Sequence, residues 1–162
     1  MTILESTSPV LSASESPEGV IRITGRVSRP FAIHPDELRK MDSEELKELA
    51  IYCGTGEPKG KISGCKGVLL ENVIRLADVI KEQSGDTKKM FVVASSDDGY
   101  TTVFSWQEIF NSPMGGGILI LHEMDGKPLA GDHGRLALIS SEDYFTGARF
   151  VKRLKTIELR IV

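Results

Sequence analysis

The sequence predicts an α+β fold, a mixed β-sheet or partly closed barrel built from many short strands with a few short helices. Three observations predict it. Apolar residues alternate over short runs that end at Gly, Pro or Asp-Gly turns. One segment, 68–80, instead carries apolar residues at three- and four-residue spacing, the pattern of an amphipathic helix. Asp125-Gly126, between two extended runs, is the strongest hairpin signal in the chain.

Each element follows from its own residues. Residues 20–27 place Ile21, Ile23 and Val27 on an apolar face, with Gly25 as a bend, and Pro30 ends the run. After a short extension at 31–34, Pro35 opens a brief helix to 41. A proline at the first position gives up an N–H that would be unpaired anyway, and Asp36 and Glu37 complement the helix dipole. Residues 48–53 form a strand and 59–66 return beside it. In the 68–80 helix, Leu69, Leu70, Val73, Leu76, Ala77 and Ile80 form the core stripe. Residues 88–95 are a strand, 97–100 a turn and 101–104 the returning strand. Ser105 and Glu108 have capping-box spacing, which sets a short helix at 106–110. Gly115-Gly116-Gly117 precedes an apolar strand at 118–122, and 136–140 and 157–162 complete the set.

Composition narrows the function classes. A chain of 162 residues suits one folded domain, taken as 20–162. Residues 1–19, rich in Ser, Glu and Pro, read as a disordered tail without the basic start and apolar run of a signal peptide. The net charge of -3 shows no basic stripe, which argues against nucleic acid and anionic membrane surfaces as partners. No run is long and apolar enough to cross a bilayer. Two cysteines, Cys53 and Cys65, are too few for a disulfide scaffold, and a reducing, cytoplasmic compartment is expected.

Several residues carry possible chemistry. Cys53 closes a strand and opens the loop Gly54-Thr55-Gly56, so it is either a metal ligand or a small packed side chain. Cys65 reads as packing. The loops 54–56 and 115–117 are either anion nests or ordinary tight turns. Asp132-His133-Gly134-Arg135 is the densest cluster of functional side chains, an oxyanion binder or a polar loop. Tyr100, after Asp98-Gly99, either donates to a substrate oxygen or packs its ring on a turn. Arg149 and Lys152 are cations of the closing segment. Asp97-Asp98 and Glu44-Glu45 read as solvated faces.

Taken together, Gly25-Arg26-Val27 with Pro30 and Asp36-Glu37-Leu38, Cys53 followed by Gly67-Val68-Leu69-Leu70, Asp98-Gly99-Tyr100, Asp125-Gly126-Lys127-Pro128-Leu129, and Phe150-Val151-Lys152-Arg153-Leu154 form a pattern. It resembles the molybdopterin-binding domain of the sulfite oxidase family over residues 20–162. The resemblance implies that family's mixed α+β fold, a molybdopterin cofactor and, if active, oxygen-atom transfer or an equivalent reduction with a small anionic substrate and an electron-carrier protein. It implies Cys53 as the thiolate on molybdenum and Tyr100 beside it as a catalytic group. Gly54, Thr55, His133, Arg135, Arg149 and Lys152 are then cofactor-binding, with the three cations converging on one pocket. The chain lacks the family's early histidine-rich segment and carries Ala137 where an arginine is usual. These departures define the alternative, a cofactor-free member serving as a binding or interaction module.

Overall fold

A computed structural model describes residues 18–162. The expected tail lies outside the described residues except for Glu18 and Gly19. Its first strand, β1 (Ile21–Gly25), pairs antiparallel with β2 (Phe31–Ile33) and parallel with β10 (Leu154–Ile161). On its other edge β10 takes β5 (Met90–Ser96), which pairs with β6 (Thr101–Ser105). This sheet is therefore mixed, in the order β2-β1-β10-β5-β6. The second sheet is antiparallel and runs β3 (Glu44–Tyr52), β4 (Pro58–Leu69), β7 (Ile118–Met124), with β8 (Lys127–Pro128) and β9 (Ala137–Ser140) both on β7. Two sheets with short helices bear out the α+β expectation, and among the described residues neither sheet closes into a barrel.

Local chemistry explains where elements begin and turn. The helix α1 (Pro35–Leu38) starts at a capping box: the Asp36 N–H donates to His34 Nδ1 at 3.2 Å, and the His34 N–H donates to Glu37 Oε1 at 2.8 Å. The helix α3 (Trp106–Phe110) is capped the same way by Ser105 and Glu108. Asp125 and Gly126 adopt φ of 54° and 77°, the paired positive angles of a tight hairpin turn. Gly25 has φ of 93°, and a Cβ there would sit 2.1 Å from the Leu159 carbonyl oxygen, so strand pairing itself demands glycine.

Several boundaries differ from expectation: α1 ends at Leu38 and not at 41, β4 runs on to Leu69, β10 starts at Leu154, and two others differ by four residues at one end. The helix α2 covers only Leu70–Leu76, because Val68 and Leu69 are spent on pairing with Ile120 and Leu119 of β7. Beyond it Asp78 takes φ of 56°, and the Ile80 N–H donates to the Arg26 carbonyl in place of a helical bond. The buried face is accordingly Leu70, Val73, Ile74 and Ala77, with Leu76 exposed. The strand β3 begins at Glu44, four residues before the expected start; its exposed acids guard a sheet edge.

The main core lies where β1, β5 and β10 meet α2 and β7, centred on Ile23, Val73, Phe104, Ile120 and Ile157. A second cluster, with Ile51, Ile62, Cys65, Leu121, Ile139 and Phe150, underlies the end of β3. Cys65 is buried there, as a packing residue should be.

Candidate functional site

Cys53 leaves the end of β3 and enters a tight turn. The Gly56 N–H donates to the Cys53 carbonyl at 2.8 Å, and the Cys53 N–H donates to the Glu57 carbonyl at 2.9 Å. Gly56 has φ of 89°, which this turn needs, and a Cβ there would meet the Phe145 ring at 3.3 Å. The turn aims the Thr55 hydroxyl at the thiol, with Sγ and Oγ1 3.0 Å apart. That hydroxyl is the main reason the Cys53 pKa falls to about 7. The backbone N–H groups of Thr55 and Glu57 and the charge of Lys59 act in the same direction, against partial burial. Near neutral pH a large share of Cys53 is thiolate, the form that binds a metal. Cys65 behaves oppositely, its thiol pushed up to about 11, first by burial and then by Asp125. Both cysteines are free thiols.

Cys53 lies on the wall of a cleft of about 410 Å³. Ile51, Ile62, Met124 and Phe150 supply its apolar surface, and His133, Lys59, Lys61 and Lys152 its other polar groups. Among the described residues no carboxylate lines it. The cleft therefore offers one soft thiolate donor and three ammonium groups in a chain whose net charge is -3. Lys61 Nζ lies 2.7 Å from Glu48 and Lys152 Nζ 2.8 Å from Asp132, whereas Lys59 has no ion-pair partner among the described residues.

His133 is held from several sides. It sits in a single turn of 3₁₀ helix at Gly131–His133, and its ring stacks on Phe150 at 5.8 Å. The Arg153 N–H donates to the His133 carbonyl at 2.8 Å, and the Arg153 guanidinium reaches Asp97 at 2.9 Å and Asp98 at 2.7 Å. Gly134 lets this clamp close, since a Cβ there would meet the Arg153 side chain at 2.6 Å. Asp97 and Asp98 are exposed, as expected of a solvated face, and are ion-paired as well. Burial, then Lys152, pushes His133 below the usual imidazole value, so it is a neutral donor and acceptor at neutral pH. Lys152 in turn holds Asp132 below the usual carboxylate range.

The expected site residues divide into two groups. The fold brings Cys53, His133 and Lys152 to one cleft, with Gly54 and Thr55 in the adjoining turn. It places the others elsewhere. Arg135 lines a separate hollow of about 260 Å³ beside Glu18, Gly19 and Lys155. Arg149 grips Asp143 through two nitrogens at 2.9 and 2.8 Å, reaches Glu108 at 3.1 Å and lies over the Phe104 ring. The Tyr100 hydroxyl donates to the Ala148 carbonyl at 2.6 Å, away from the cleft wall. The three cations expected to converge do not share a pocket; of them Lys152 alone faces Cys53. The glycines at 115–117 form a 3₁₀ turn, where a Cβ on Gly115 would collide with the Ile109 carbonyl, so packing accounts for them.

Lys59 and Lys61 escaped the sequence reading. Their signal was present, because positions 59 and 61 on a strand leaving the cysteine loop share one face. Among the described residues, no group of three or more His, Cys, Asp or Glu is placed to hold a metal by itself. A thiolate completing the coordination of a cofactor-borne metal needs no such group, and the donor set of the cleft fits an anionic metal cofactor.

Comparison with known proteins bears on the fold and the family. No curated protein matches the chain. Among solved structures, the sulfane dehydrogenase SoxCD from Paracoccus pantotrophus superposes with a TM-score of 0.62 at 14% identity, over 88% of this chain. That likeness establishes the fold alone, and the chain spans 39% of the SoxCD chain it matches. A family description, the oxidoreductase molybdopterin binding domain, matches residues 11–161. With nearly the whole chain inside that match, the protein belongs to the molybdopterin-binding oxidoreductase domain family, and the cofactor-free interaction module is not the favoured reading.

Proposed function

We propose that this domain carries molybdopterin in the cleft at the end of β3, with Cys53 as the protein thiolate on molybdenum, and that it catalyses oxygen-atom transfer of the sulfite oxidase type. The observation that carries the reading is the Cys53 thiol, partly exposed and brought to a pKa of about 7 on the wall of a cleft lined by lysines. A metal thiolate must be deprotonated, and here Thr55 and two backbone N–H groups prepare that state before any metal arrives. When bound, the cofactor supplies the two-electron redox and oxygen-transfer chemistry.

The chain's own groups have distinct tasks. Lys59, Lys61 and Lys152 attract and orient anionic groups of the cofactor or of a small anionic substrate. His133, neutral and fixed on Phe150, accepts or donates one hydrogen bond without adding charge. Ile51, Ile62 and Phe150 keep one side of the cleft dry, which strengthens every charge interaction within it. Electrons leave to a carrier protein. No helix among the described residues is long and apolar enough to cross a membrane. Two unpaired thiols support a cytoplasmic location.

Metal analysis tests the assignment. Protein produced in a host that makes the molybdenum cofactor should hold molybdenum, and Cys53→Ser should lose it while keeping the wild-type circular dichroism and melting temperature. Full molybdenum content in a folded Cys53→Ser protein would reject Cys53 as the ligand.

A further inference from the structure

The hollow formed by Pro113, Met114 and residues 142–145 has no part in the site described above. Its volume is about 650 Å³, and it shares no residue with the wall of the Cys53 cleft. Two segments build it. One is the 3₁₀ turn Pro113–Gly117. The other leaves β9, and the Ser141 N–H ties it to that turn by donating to the Gly117 carbonyl at 2.9 Å. Gly117 leaves room for Glu142, since a Cβ there would meet Glu142 Cγ at 3.0 Å. Further on, the Thr146 hydroxyl donates to the Ala50 carbonyl at 2.7 Å, and the Gly147 N–H to the Tyr52 carbonyl at 2.7 Å. Between these anchors Tyr144 and Phe145 are displayed on a fixed support. Tyr144 is 94% exposed and Phe145 47%. Folding alone has no use for a ring as exposed as that of Tyr144, and adjacent exposed aromatics with a methionine beside them mark an interaction surface.

Charge identifies the occupant. Among the described residues no lysine or arginine lines the hollow, whereas Glu142 and Asp143 do. Arg149 grips Asp143 and also pairs with Glu108 at 3.1 Å, so one guanidinium faces two carboxylates and a net negative charge is left over. Glu142, exposed and without an ion-pair partner among the described residues, adds a second. That charge repels nucleic acid and anionic membranes. A small cation would keep most of its surface wet beside so exposed a ring, so a wider contact is needed. We infer that this hollow docks a basic segment of another protein, its arginine or lysine side chains lying on the Tyr144 and Phe145 rings and pairing with Glu142. A guanidinium or ammonium group gains from the face of an aromatic ring and from a carboxylate at once, and Met114 and Pro113 take the apolar stem of such a side chain. The inference stands on this hollow alone and does not depend on the cofactor.

The test uses the full chain and two synthetic peptides of about twelve residues, long enough to cross the hollow, one alternating Arg and Ala and the other alternating Glu and Ala. Binding is followed by NMR shifts of the Met114 methyl and of the Tyr144 and Phe145 rings. The arginine peptide should move these signals with a Kd below about 1 mM that weakens as salt rises, and the glutamate peptide should not. Tyr144→Ser should weaken binding by about tenfold, as loss of a central aromatic contact does. At so exposed a position it leaves folding intact, which circular dichroism checks. Glu142→Lys should weaken arginine-peptide binding and let the glutamate peptide bind, a reversal that a merely structural role would not produce. Leu76→Ser, exposed on α2, should change nothing. Signals that the arginine peptide leaves in place, equal binding of both peptides, or binding indifferent to Glu142 and Tyr144 overturns the proposal. So does sedimentation showing that the wild type pairs with a second copy and that Tyr144→Ser abolishes the pairing.

Discussion

Replacing Thr55 with Val removes the hydroxyl 3.0 Å from Cys53 Sγ while keeping the branched shape of the side chain. That hydroxyl is the largest of the influences that bring the thiol from its usual 9.0 to about 7. Without it the backbone N–H groups and Lys59 still act, so the pKa should climb only part of the way back, by about one pH unit. One unit means roughly tenfold less thiolate at any pH well below the midpoint, and alkylation by iodoacetamide should slow by about that factor near pH 6. The assay is clean because Cys65 is buried with its thiol pushed up to about 11, and mass spectrometry separates the two sites. Thr55→Ser keeps a hydroxyl and should restore the wild-type profile. An unchanged midpoint in Thr55→Val, or a wild-type midpoint near 9, would refute the claim that this turn prepares a thiolate.

Other expectations concern stability. Burial, with Arg39 and Lys66 nearby, depresses the pKa of His122, so the unfolded state binds its proton more readily; stability should therefore fall as pH drops below about 6.5, and urea midpoints should fall less steeply with pH in His122→Gln. Gly25→Ala would set a Cβ 2.1 Å from the Leu159 oxygen at φ of 93°, and should cost about 2 kcal/mol or more, roughly 5 °C in melting temperature. Arg149→Met strips Asp143 and Glu108 of a largely buried partner and should cost about 2–4 kcal/mol in chemical denaturation, with the alkylation profile of Cys53 unchanged. A shifted Cys53 profile in that variant would show that Arg149 acts on the cleft and not only on the fold.

What could be read from the sequence was local. The Ser105 capping box and the Asp125-Gly126 hairpin are complete within a few residues, so short-range chemistry fixes them. The start of α2 was not legible, because Val68 and Leu69 suit a helix face and a strand equally, and pairing with distant β7 decides between them. Cys53 was recognisable from its strand and glycine loop, but its neighbours come from far along the chain. The bond from Gly147 to Tyr52 and the clamp of Arg153 on the 131–134 turn bring them there. For the same reason Arg149 and Arg135 looked available for an anion. Their carboxylate neighbours, Asp143, Glu108 and Asp36, are set by tertiary contacts that spacing does not reveal.

X-ray absorption at the molybdenum edge on the cofactor-loaded chain tests the central claim most directly. The wild type should show sulfur from the protein in addition to the pterin sulfurs, and whatever residual metal Cys53→Ser retains should show one sulfur fewer. An identical sulfur count in the two proteins, or wild-type protein that takes up no molybdenum from a cofactor-producing host, would contradict it.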